Sequence, residues 1–329
     1  MPLIGSDAVA VAAASDALAA GRLVAFPTET VYGLAASVLD IAAVGRVFEA
    51  KGRPSDHPLI CHIASADGLA ALVDEVTPAA RALAAAFWPG PLTLVMHRSP
   101  SVPDAVTGGL DTVAVRVPAH PLALALLRRF GGPVAAPSAN RFGRPSPTCA
   151  ADVVDELGDA VAVLLDGGPC AIGIESTVLD LTSDPVQVLR PGRISAEQVA
   201  QVIGRAVSAT ATGPARAPGM LDAHYAPGAR VEVVAASDVP TRADALAGQG
   251  IRIAVLAPGE VSPLPAGALV LGPLGSPDDY AARLYGAFRQ ADAAGVAVIL
   301  AVPPPAEGIG VAVRDRLARA AAGSSRRTG

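Results

Sequence analysis

A single lysine, Lys51, stands among 24 arginines in this chain of 329 residues. It opens the segment Lys51-Gly52-Arg53-Pro54, which precedes an apolar stretch beginning at Leu59. A lysine ammonium is a compact point charge and an arginine guanidinium is a planar fork, so the two cations are not interchangeable at a phosphate site. A lysine followed two residues later by an arginine, on a loop rich in Gly and Pro, favours a contact with nucleotide phosphates. The alternative is that one lysine has survived compositional drift on a solvated loop.

Two other polar clusters lie at predicted strand ends or in loops. The first is Pro27-Thr28-Glu29-Thr30-Val31-Tyr32-Gly33, directly after an apolar stretch. The second combines two arginines with hydroxyl and amide side chains along the chain: Arg116, Ser138, Asn140, Ser146, Ser176, Thr177 and Arg190. Loops and strand ends are where α/β proteins place their sites. No Ser/His/Asp triad is evident among these residues.

The apolar stretches of residues 1–205 predict strands and helices in mixed order. Strands are predicted at 23–26, 59–63, 92–97, 112–117, 134–136, 161–165, 176–181 and 186–189. Helices are predicted after Ser6 or Asp7, over 40–50 and 78–87, from Pro121, over 150–157, and after a capping box formed by Ser195 and Gln198. This order predicts an α/β sheet with helices packed on it rather than a strict βαβ repeat.

Residues 206–228 break this pattern, because Ser, Thr, Gly, Pro and Ala dominate them and predict a linker. Beyond it, strands near 231–234, 251–256, 268–271 and 296–302, with three helices, predict a smaller Rossmann-like α/β domain. No G-x-G-x-x-G follows its first strand, so no dinucleotide is assigned to it. The predicted organisation is a domain over 1–205, a linker over 206–228, a second domain over 229–323 and a disordered tail over 324–329.

Composition argues against several classes of protein. No apolar run approaches the ~20 residues that span a bilayer, and the N-terminus has no basic region followed by an apolar stretch, so neither a membrane protein nor a secretory signal is predicted. Cys61, Cys149 and Cys170 are widely spaced, which suits a reducing cytoplasm and forms no metal-binding pattern. Residues 1–205 carry 14 basic and 20 acidic side chains, a net charge of −6, which argues against strong binding to a nucleic-acid backbone.

In combination, the motifs resemble those of the Sua5/YrdC/YciO family. The resemblance rests on segments that occur in the family's order, at 26–34, 51–60, 137–140, 167–177 and 190–192. His224-Tyr225-Ala226-Pro227, before a second domain, is similar to the Sua5 type. The resemblance implies a YrdC-like twisted mixed sheet with helices, joined to a smaller Sua5 C-terminal domain. It also implies that the linker folds over bound nucleotide as a lid.

The family makes threonylcarbamoyl-AMP from L-threonine, bicarbonate (or CO2) and ATP, and releases pyrophosphate. Its product donates the N6-threonylcarbamoyl group to adenosine 37 of certain tRNAs. The resemblance therefore implies a cytoplasmic nucleotidyltransferase that uses ATP as a substrate and supplies downstream tRNA threonylcarbamoyl-transfer proteins. Mg²⁺ is expected to accompany the ATP. Neither a tightly bound organic cofactor nor a dedicated metal site is expected.

The resemblance also implies two sets of binding residues. L-threonine is expected to contact Thr30, His62, Arg116, the backbone of Ala136, and Ser176. Arg116 is the natural fork for the α-carboxylate. ATP is expected to contact Lys51, Arg53, His57, Thr112, Ser138, Asn140, Ser146, Arg190 and Tyr225. The catalytic role is expected of four residues that can neutralise or bind phosphate: Lys51, Arg53, Ser138 and Asn140. Other members of the family often carry Asn at the position of His57.

Two alternatives from other classes stay open at this point. YrdC-like domains have a concave surface that suits RNA, so an RNA-binding or ribosome-assembly module is the second hypothesis. A steep salt-dependent affinity for tRNA without added partners would favour it. A carbamoyl-transfer enzyme of the hydrogenase-maturation type is the third hypothesis. Such enzymes carry zinc-finger segments, and this chain has no paired Cys-x-x-Cys.

Overall fold

The computed structural model describes residues 2–209 and 224–325, which divide into two compact units. Of these residues, unit 1 comprises 2–142, 147–171 and 175–209, and unit 2 comprises 143–146, 172–174 and 224–325. Each unit has its own sheet. Within the described ranges, no helix is both long enough and apolar enough to cross a lipid bilayer.

The described part of unit 1 forms an 11-stranded mixed sheet in the order β1-β8-β2-β3-β7-β4-β6-β5-β9-β10-β11. Its strands are β1 (Leu3–Gly5), β2 (Val24–Phe26), β3 (Gly33–Ser37), β4 (Ile60–His62), β5 (Leu92–His97), β6 (Thr112–Arg116), β7 (Val134–Ala135), β8 (Val163–Leu165), β9 (Thr177–Asp180), β10 (Val186–Arg190) and β11 (Val207–Ser208). Parallel and antiparallel pairs are mixed along the sheet, which confirms the predicted mixed α/β architecture.

The helices of unit 1 are α1 (Ala8–Ala19), α2 (Ile41–Lys51), α3 (Pro78–Phe87), α4 (Asp104–Thr107), α5 (Pro121–Phe130), α6 (Ala150–Leu157) and α7 (Ala196–Ile203). Local chemistry sets several of their ends. The Asp7 carboxylate accepts a hydrogen bond from the Ala10 amide at 2.8 Å and caps α1. Ser195 and Gln198 form the predicted capping box of α7.

Alternate residues of the strands pack into two separate cores. In β2, Val24 and Phe26 pack into the cluster that contains α1 and α5, whereas Ala25 belongs to the larger cluster that contains α2 and α3. Successive side chains of a strand point to opposite faces, so this strand is covered on both sides. That explains why it appears in the sequence as an uninterrupted apolar stretch rather than as an alternating one.

Three strands of unit 1 were not predicted: β1, β3 and β11, the last of which lies within the predicted linker. β1 is a three-residue strand that pairs in parallel with β8. β3 follows the Pro/Thr loop and returns antiparallel to β2, with Gly33 directly opposite Phe26. A Cβ at Gly33 would lie 3.0 Å from the Phe26 ring, so glycine fits this close approach. The Gly-Leu-Ala-Ala-Ser sequence of β3 has low strand propensity, and its long-range pairing outweighs that preference.

Unit 2 contains a parallel sheet of the described residues in the order β12-β15-β13-β14. Its strands are β12 (Arg230–Val233), β13 (Ile253–Leu256), β14 (Leu269–Val270) and β15 (Val298–Ala301), and its helices are α8 (Val239–Ala247), α9 (Pro277–Ala293) and α10 (Ile309–Ser325). Helices connect most of the parallel strands, as the Rossmann-like pattern predicted.

The structure differs from the prediction in the assigned linker and in the assigned tail. Val207 and Ser208, assigned to the linker, form β11 and pair in parallel with β10. Ser324, assigned to a disordered tail, is buried in α10, and its hydroxyl accepts a hydrogen bond from the Val231 amide at 3.0 Å. Both differences arise from pairing with distant residues. The rest of the predicted linker (210–223) and tail (326–329) lies outside the described residues.

Candidate active site

Strand register brings His62 and Arg116 together on one face of the sheet in unit 1. His62 on β4 lies directly opposite Arg116 on β6. Directly opposed residues point to the same face, and so do residues two apart on one strand. Ala114 therefore shares the face of Arg116, and it lies opposite Val95 on β5. Thr93, two residues before Val95, belongs to the same face.

The same face continues across β9 and β10. Thr93 lies opposite Val178, and Val178 lies opposite Arg190. Ser176, two residues before Val178, completes the alignment, and its hydroxyl lies 2.8 Å from the Thr93 hydroxyl. We call this set of aligned side chains the polar face; its members are His62, Thr93, Arg116, Ser176 and Arg190. All of them are buried, with 4% or less of each residue exposed.

The Arg116 guanidinium is held by groups from two separate loops. Nε donates to the Gly90 carbonyl oxygen at 3.1 Å, and Nη1 donates to the Thr30 hydroxyl at 2.9 Å. Nη2 forms an ion pair with Oε1 of Glu29 at 2.7 Å. The orientation of the Arg116 guanidinium, which was predicted to bind a carboxylate, is therefore fixed. Glu29 was not predicted as a site residue, although it precedes Thr30 in the recognised motif.

The loop that supplies Thr30 is closed by Thr28. The Thr28 hydroxyl accepts hydrogen bonds from the amides of Thr30 and Val31, each at 3.1 Å, and donates to the Val31 carbonyl oxygen at 2.6 Å. A threonine hydroxyl that bonds to nearby backbone replaces a backbone turn. The loop is thus rigid enough to hold the Thr30 hydroxyl against Arg116.

His62 is a neutral hydrogen-bonding group. Burial, with a smaller contribution from the Arg116 charge, lowers the pKa of His62 to about 3. Nδ1 lies 3.2 Å from the Ile60 carbonyl oxygen, which can only accept, so this contact assigns the proton to Nδ1. Nε2 then carries the lone pair. His62 can therefore accept a hydrogen bond from a ligand, but it cannot supply positive charge near neutral pH.

Ser176 and Arg190 form the other end of the polar face. The Arg190 side chain donates two hydrogen bonds to this serine: Nε donates to the Ser176 carbonyl oxygen and Nη2 to its hydroxyl, each at 3.1 Å. Gly192, two residues later, allows the chain to pass close to the next strand, because a Cβ there would lie 2.3 Å from the Thr177 amide nitrogen. The Arg-Pro-Gly motif is thereby explained by geometry.

Lys51 is buried, so the solvated-loop alternative is wrong. It is the last residue of α2, and Gly52 ends that helix in the left-handed conformation with φ 61°. Its Nζ donates to the carbonyl oxygens of Ser138 at 2.6 Å and Asn140 at 2.5 Å. Burial, and then the charge of Arg53, lowers the pKa of Lys51 well below its usual value. The lysine thus joins the two motifs that the sequence singled out.

Arg53 and His57 lie on the loop after α2. Arg53 Nη2 donates to the Pro58 carbonyl oxygen at 3.1 Å, and its guanidinium lies 5.9 Å from the centre of the Phe142 ring. The half-buried His57 ring contacts the same phenylalanine, with ring centres 5.5 Å apart. Burial and the Arg53 charge lower the pKa of His57.

The segment after β7 supplies backbone as well as side chains. The Ala136 amide donates to the Ile60 carbonyl oxygen at 2.9 Å, so the Ala136 carbonyl oxygen is the group that it can offer a ligand. The Asn140 side chain is fully buried, and its Nδ2 donates to the Arg141 carbonyl oxygen at 2.7 Å. The Ala139 amide donates to the Tyr32 carbonyl oxygen at 2.8 Å, which ties this segment to the Thr30 loop.

Thr112 is not brought beside the polar face residues at the ends of the strands. It is buried at the start of β6, opposite His97, and Arg116 is at the other end of that strand. Four residues of strand separate them by about 13 Å. If both residues belong to the site, the ligands must extend along β6.

The last two predicted residues, Ser146 and Tyr225, belong to unit 2. Tyr225 is buried and adopts φ 61°, which is uncommon for a residue with a side chain. Its ring lies 5.2 Å from the guanidinium of the fully buried Arg316 and 5.8 Å from the Tyr285 ring. Ser146 is also fully buried. Arg316 was missed by sequence reasoning, because no local pattern distinguishes it from the other arginines of α10.

No group of three or more His, Cys, Asp and Glu side chains among the described residues is arranged to hold a metal ion. The cations of unit 1, with hydroxyl and carbonyl groups beside them, can instead bind carboxylate and phosphate. Such fixed donors stabilise charge without a covalent enzyme intermediate.

Known proteins resemble this chain over nearly its full length. A family model for Sua5/YciO/YrdC, described as "Telomere recombination", matches residues 16–192, and one described as "Threonylcarbamoyl-AMP synthase, C-terminal domain" matches residues 194–322. A threonylcarbamoyl-AMP synthase of Pyrococcus abyssi is 46% identical over 91% of this chain and 90% of that protein. One of Bacillus subtilis is 43% identical over 95% of this chain and 93% of that protein.

A solved structure shows the same fold. The crystal structure of P. abyssi Sua5 complexed with L-threonine superposes with a TM-score of 0.91 and 41% identity, and it covers 98% of both chains. The family model alone spans more than half of this sequence, and the relatives extend the match across it. The motifs around Thr30, Lys51, Ser138 and Arg190 predicted this relationship, and the chain belongs to the Sua5/YrdC/YciO family.

Proposed function

We propose that this protein is an L-threonylcarbamoyladenylate synthase, which makes its product from L-threonine, bicarbonate or CO2, and ATP, and releases pyrophosphate. The observation that carries the proposal is that relatives named threonylcarbamoyl-AMP synthase are 43–46% identical over at least 90% of this chain. A P. abyssi relative has been solved with L-threonine. The polar face offers the charge and hydrogen-bonding groups that an amino acid and a nucleotide need.

The chemistry fits a site without a nucleophile. The nitrogen lone pair of the threonine amine attacks CO2, and the nitrogen loses a proton to solvent, which gives a carbamate. A carbamate oxygen then attacks the α-phosphorus of ATP. The bond from that phosphorus to the bridging oxygen breaks, and pyrophosphate leaves. The protein must hold the reactants close together and stabilise negative charge. Its buried arginines and lysine, each fixed by backbone carbonyl oxygens, supply positive groups that need little rearrangement.

The proposed amino-acid subsite is the Arg116 end of the polar face. Arg116 would bind the α-carboxylate, since its guanidinium is already fixed by Gly90 and Thr30. Neutral His62 would accept a hydrogen bond, and the Ala136 carbonyl oxygen would accept another. Ser176 would complete the set, from a hydroxyl that Arg190 already orients.

The proposed nucleotide subsite in unit 1 comprises Lys51, Arg53, His57, Thr112, Ser138, Asn140 and Arg190. The family resemblance assigns Ser146 and Tyr225 to ATP as well. The Lys51 ammonium already bonds to two carbonyl oxygens, so it can offer its remaining hydrogen to a phosphate. We also propose that a segment of the predicted linker outside β11 acts as a lid that excludes water from a hydrolysable intermediate.

Mg²⁺ is proposed to enter with ATP rather than to reside in the protein. The described residues form no carboxylate and imidazole cluster that fits a resident metal. Mg²⁺ commonly keeps several waters and binds through substrate phosphates. The product would pass in the cytoplasm to proteins that transfer the threonylcarbamoyl group to tRNA.

Pyrophosphate release from ATP by the purified protein tests the proposal. Release should require both L-threonine and bicarbonate. Arg190→Ala should lower kcat/KM by roughly 10²-fold or more, because it removes a fixed cation from the site. Arg193→Ala, three residues away at an exposed position, is the matched control and should retain activity. Release that proceeds without threonine would contradict the proposed function.

A further inference from the structure

The buried ion pair between Glu29 and Arg116 has hydrogen-bonding capacity that the protein does not use. Their side chains are only 12% and 4% exposed, and Oε1 lies 2.7 Å from Nη2. Neither of these two atoms makes a well-directed hydrogen bond to any other described residue. Burying two charges is costly unless hydrogen bonds satisfy them. This pair therefore places an acceptor anion and a donor cation side by side with hydrogen-bonding capacity left over, and a ligand that binds them must displace the groups that now cover both atoms.

Both partners are also held by groups outside the ion pair. Glu29 Oε2 accepts a hydrogen bond from the Ala119 amide at 3.0 Å, and the other carboxylate oxygen, Oε1, faces Arg116. The guanidinium is held by the Gly90 carbonyl oxygen and the Thr30 hydroxyl. The positions of the anion and the cation are thus set before any ligand arrives, which lowers the cost of binding.

A ligand that complements this arrangement carries a carboxylate and an ammonium on one carbon atom. We propose that Glu29 and Arg116 together recognise the zwitterion of an α-amino acid, with Glu29 receiving the ammonium and Arg116 the carboxylate. This inference rests on the proposed function, because it takes L-threonine as the amino acid. The nitrogen held at Glu29 must lose a proton before its electron pair can attack CO2, and it then becomes the carbamate nitrogen, so Glu29 would also set where the carbamate forms.

A purely structural role makes a different prediction. If Glu29 only orients Arg116, its loss should lower the affinity for every carboxylate that binds there. If Glu29 receives the ammonium, its loss should lower the affinity only for ligands that carry an amine. (R)-3-hydroxybutyrate is threonine without its α-amino group, so the two ligands separate these roles.

The experiment measures the affinity of both ligands by calorimetry for the wild type, Glu29→Gln and Glu49→Gln. Glu49 is an exposed carboxylate on α2 and serves as the control. Glu29→Gln should lower the affinity for L-threonine by about tenfold or more, because the ammonium then meets a neutral amide instead of a carboxylate. The affinity for (R)-3-hydroxybutyrate should change little. The control should bind both ligands like the wild type.

Each other outcome decides against a particular claim. Equal weakening of both ligands would reduce Glu29 to a residue that orients Arg116, and no change in either would also overturn the inference. A wild-type protein that does not bind L-threonine would overturn the proposed function itself. If Glu29→Gln does not fold, Glu29→Asp allows the same comparison. Aspartate keeps the negative charge on a side chain that is one methylene shorter, so it should reduce the preference for L-threonine over (R)-3-hydroxybutyrate.

Discussion

Acid should destabilise unit 1 through His62. The side chain is buried against Arg116, and these surroundings lower its pKa from 6.5 to about 3. Below pH 6.5 the unfolded chain binds a proton at this histidine, while the folded protein stays neutral there until about pH 3. The unfolded state therefore binds more protons throughout this interval, so the free energy of unfolding falls as the pH falls.

The size of the effect follows from the shift in pKa. Each unit of pKa corresponds to about 1.4 kcal/mol, so the full shift from 6.5 to about 3 is worth on the order of 5 kcal/mol. Between pH 6.5 and pH 4 the loss should be about 3 kcal/mol. This is a large fraction of the 5–15 kcal/mol that typically stabilises a domain.

The assay uses the only tryptophan of the chain, Trp88, which lies in unit 1 and donates from Nε1 to the Leu92 carbonyl oxygen at 2.7 Å. Urea unfolding followed by its fluorescence gives the free energy of unfolding of unit 1 at each pH. The wild type should lose stability steadily from pH 6.5 to pH 4. His62→Gln cannot bind the proton and should show a slope shallower by up to about 1.4 kcal/mol per pH unit.

His97→Gln replaces an exposed histidine of the same unit and is the control. It should parallel the wild type. If the wild type and His62→Gln lose stability with the same slope, the buried neutral state assigned to His62 is wrong. Its assignment as a hydrogen-bond acceptor for the ligand would fail with it.

Two further substitutions test the framework of the site. Lys51→Met should lower the free energy of unfolding by about 2–4 kcal/mol, because two buried carbonyl oxygens lose their donor, and should also abolish pyrophosphate release; unchanged stability with unchanged turnover would remove Lys51 from the site. Gly192→Ala should destabilise unit 1 by about 1–3 kcal/mol in the same urea assay, since its Cβ would lie 2.3 Å from the Thr177 amide nitrogen. Gly45→Ala is the matched control: it lies within α2, an added Cβ would meet no atom within 4 Å beyond its chain neighbours and the adjacent helix backbone, and it should stabilise the protein by about 0.5–1 kcal/mol. Equal effects of the two glycine substitutions would refute the close approach inferred at Gly192.

Short-range patterns were sufficient for most elements and for the family. Apolar stretches located strands such as β5 and β6, and the capping residues Ser195 and Gln198 located the start of α7, because these signals depend on residues within one or two turns of each other. The ordered motifs around Thr30 and Lys51 are sufficient to identify the family from the sequence. The linker assignment failed at β11 because that strand exists only through its partner, β10.

The arrangement of the site could not be read from the same patterns. His62 and Arg116 are 54 positions apart in the chain, and only the parallel register of β4 and β6 sets them side by side. The family resemblance grouped Lys51 with Ser138 and Asn140, but no local pattern predicts that Lys51 bonds to their carbonyl oxygens, 87 and 89 residues away. The ion pair of Glu29 with Arg116 likewise depends on a loop and a strand that meet only in the folded chain. Residue types specify which chemistry is available. The distances between side chains and their burial come from long-range packing, and these set the pKa of each group and the direction of its hydrogen bonds.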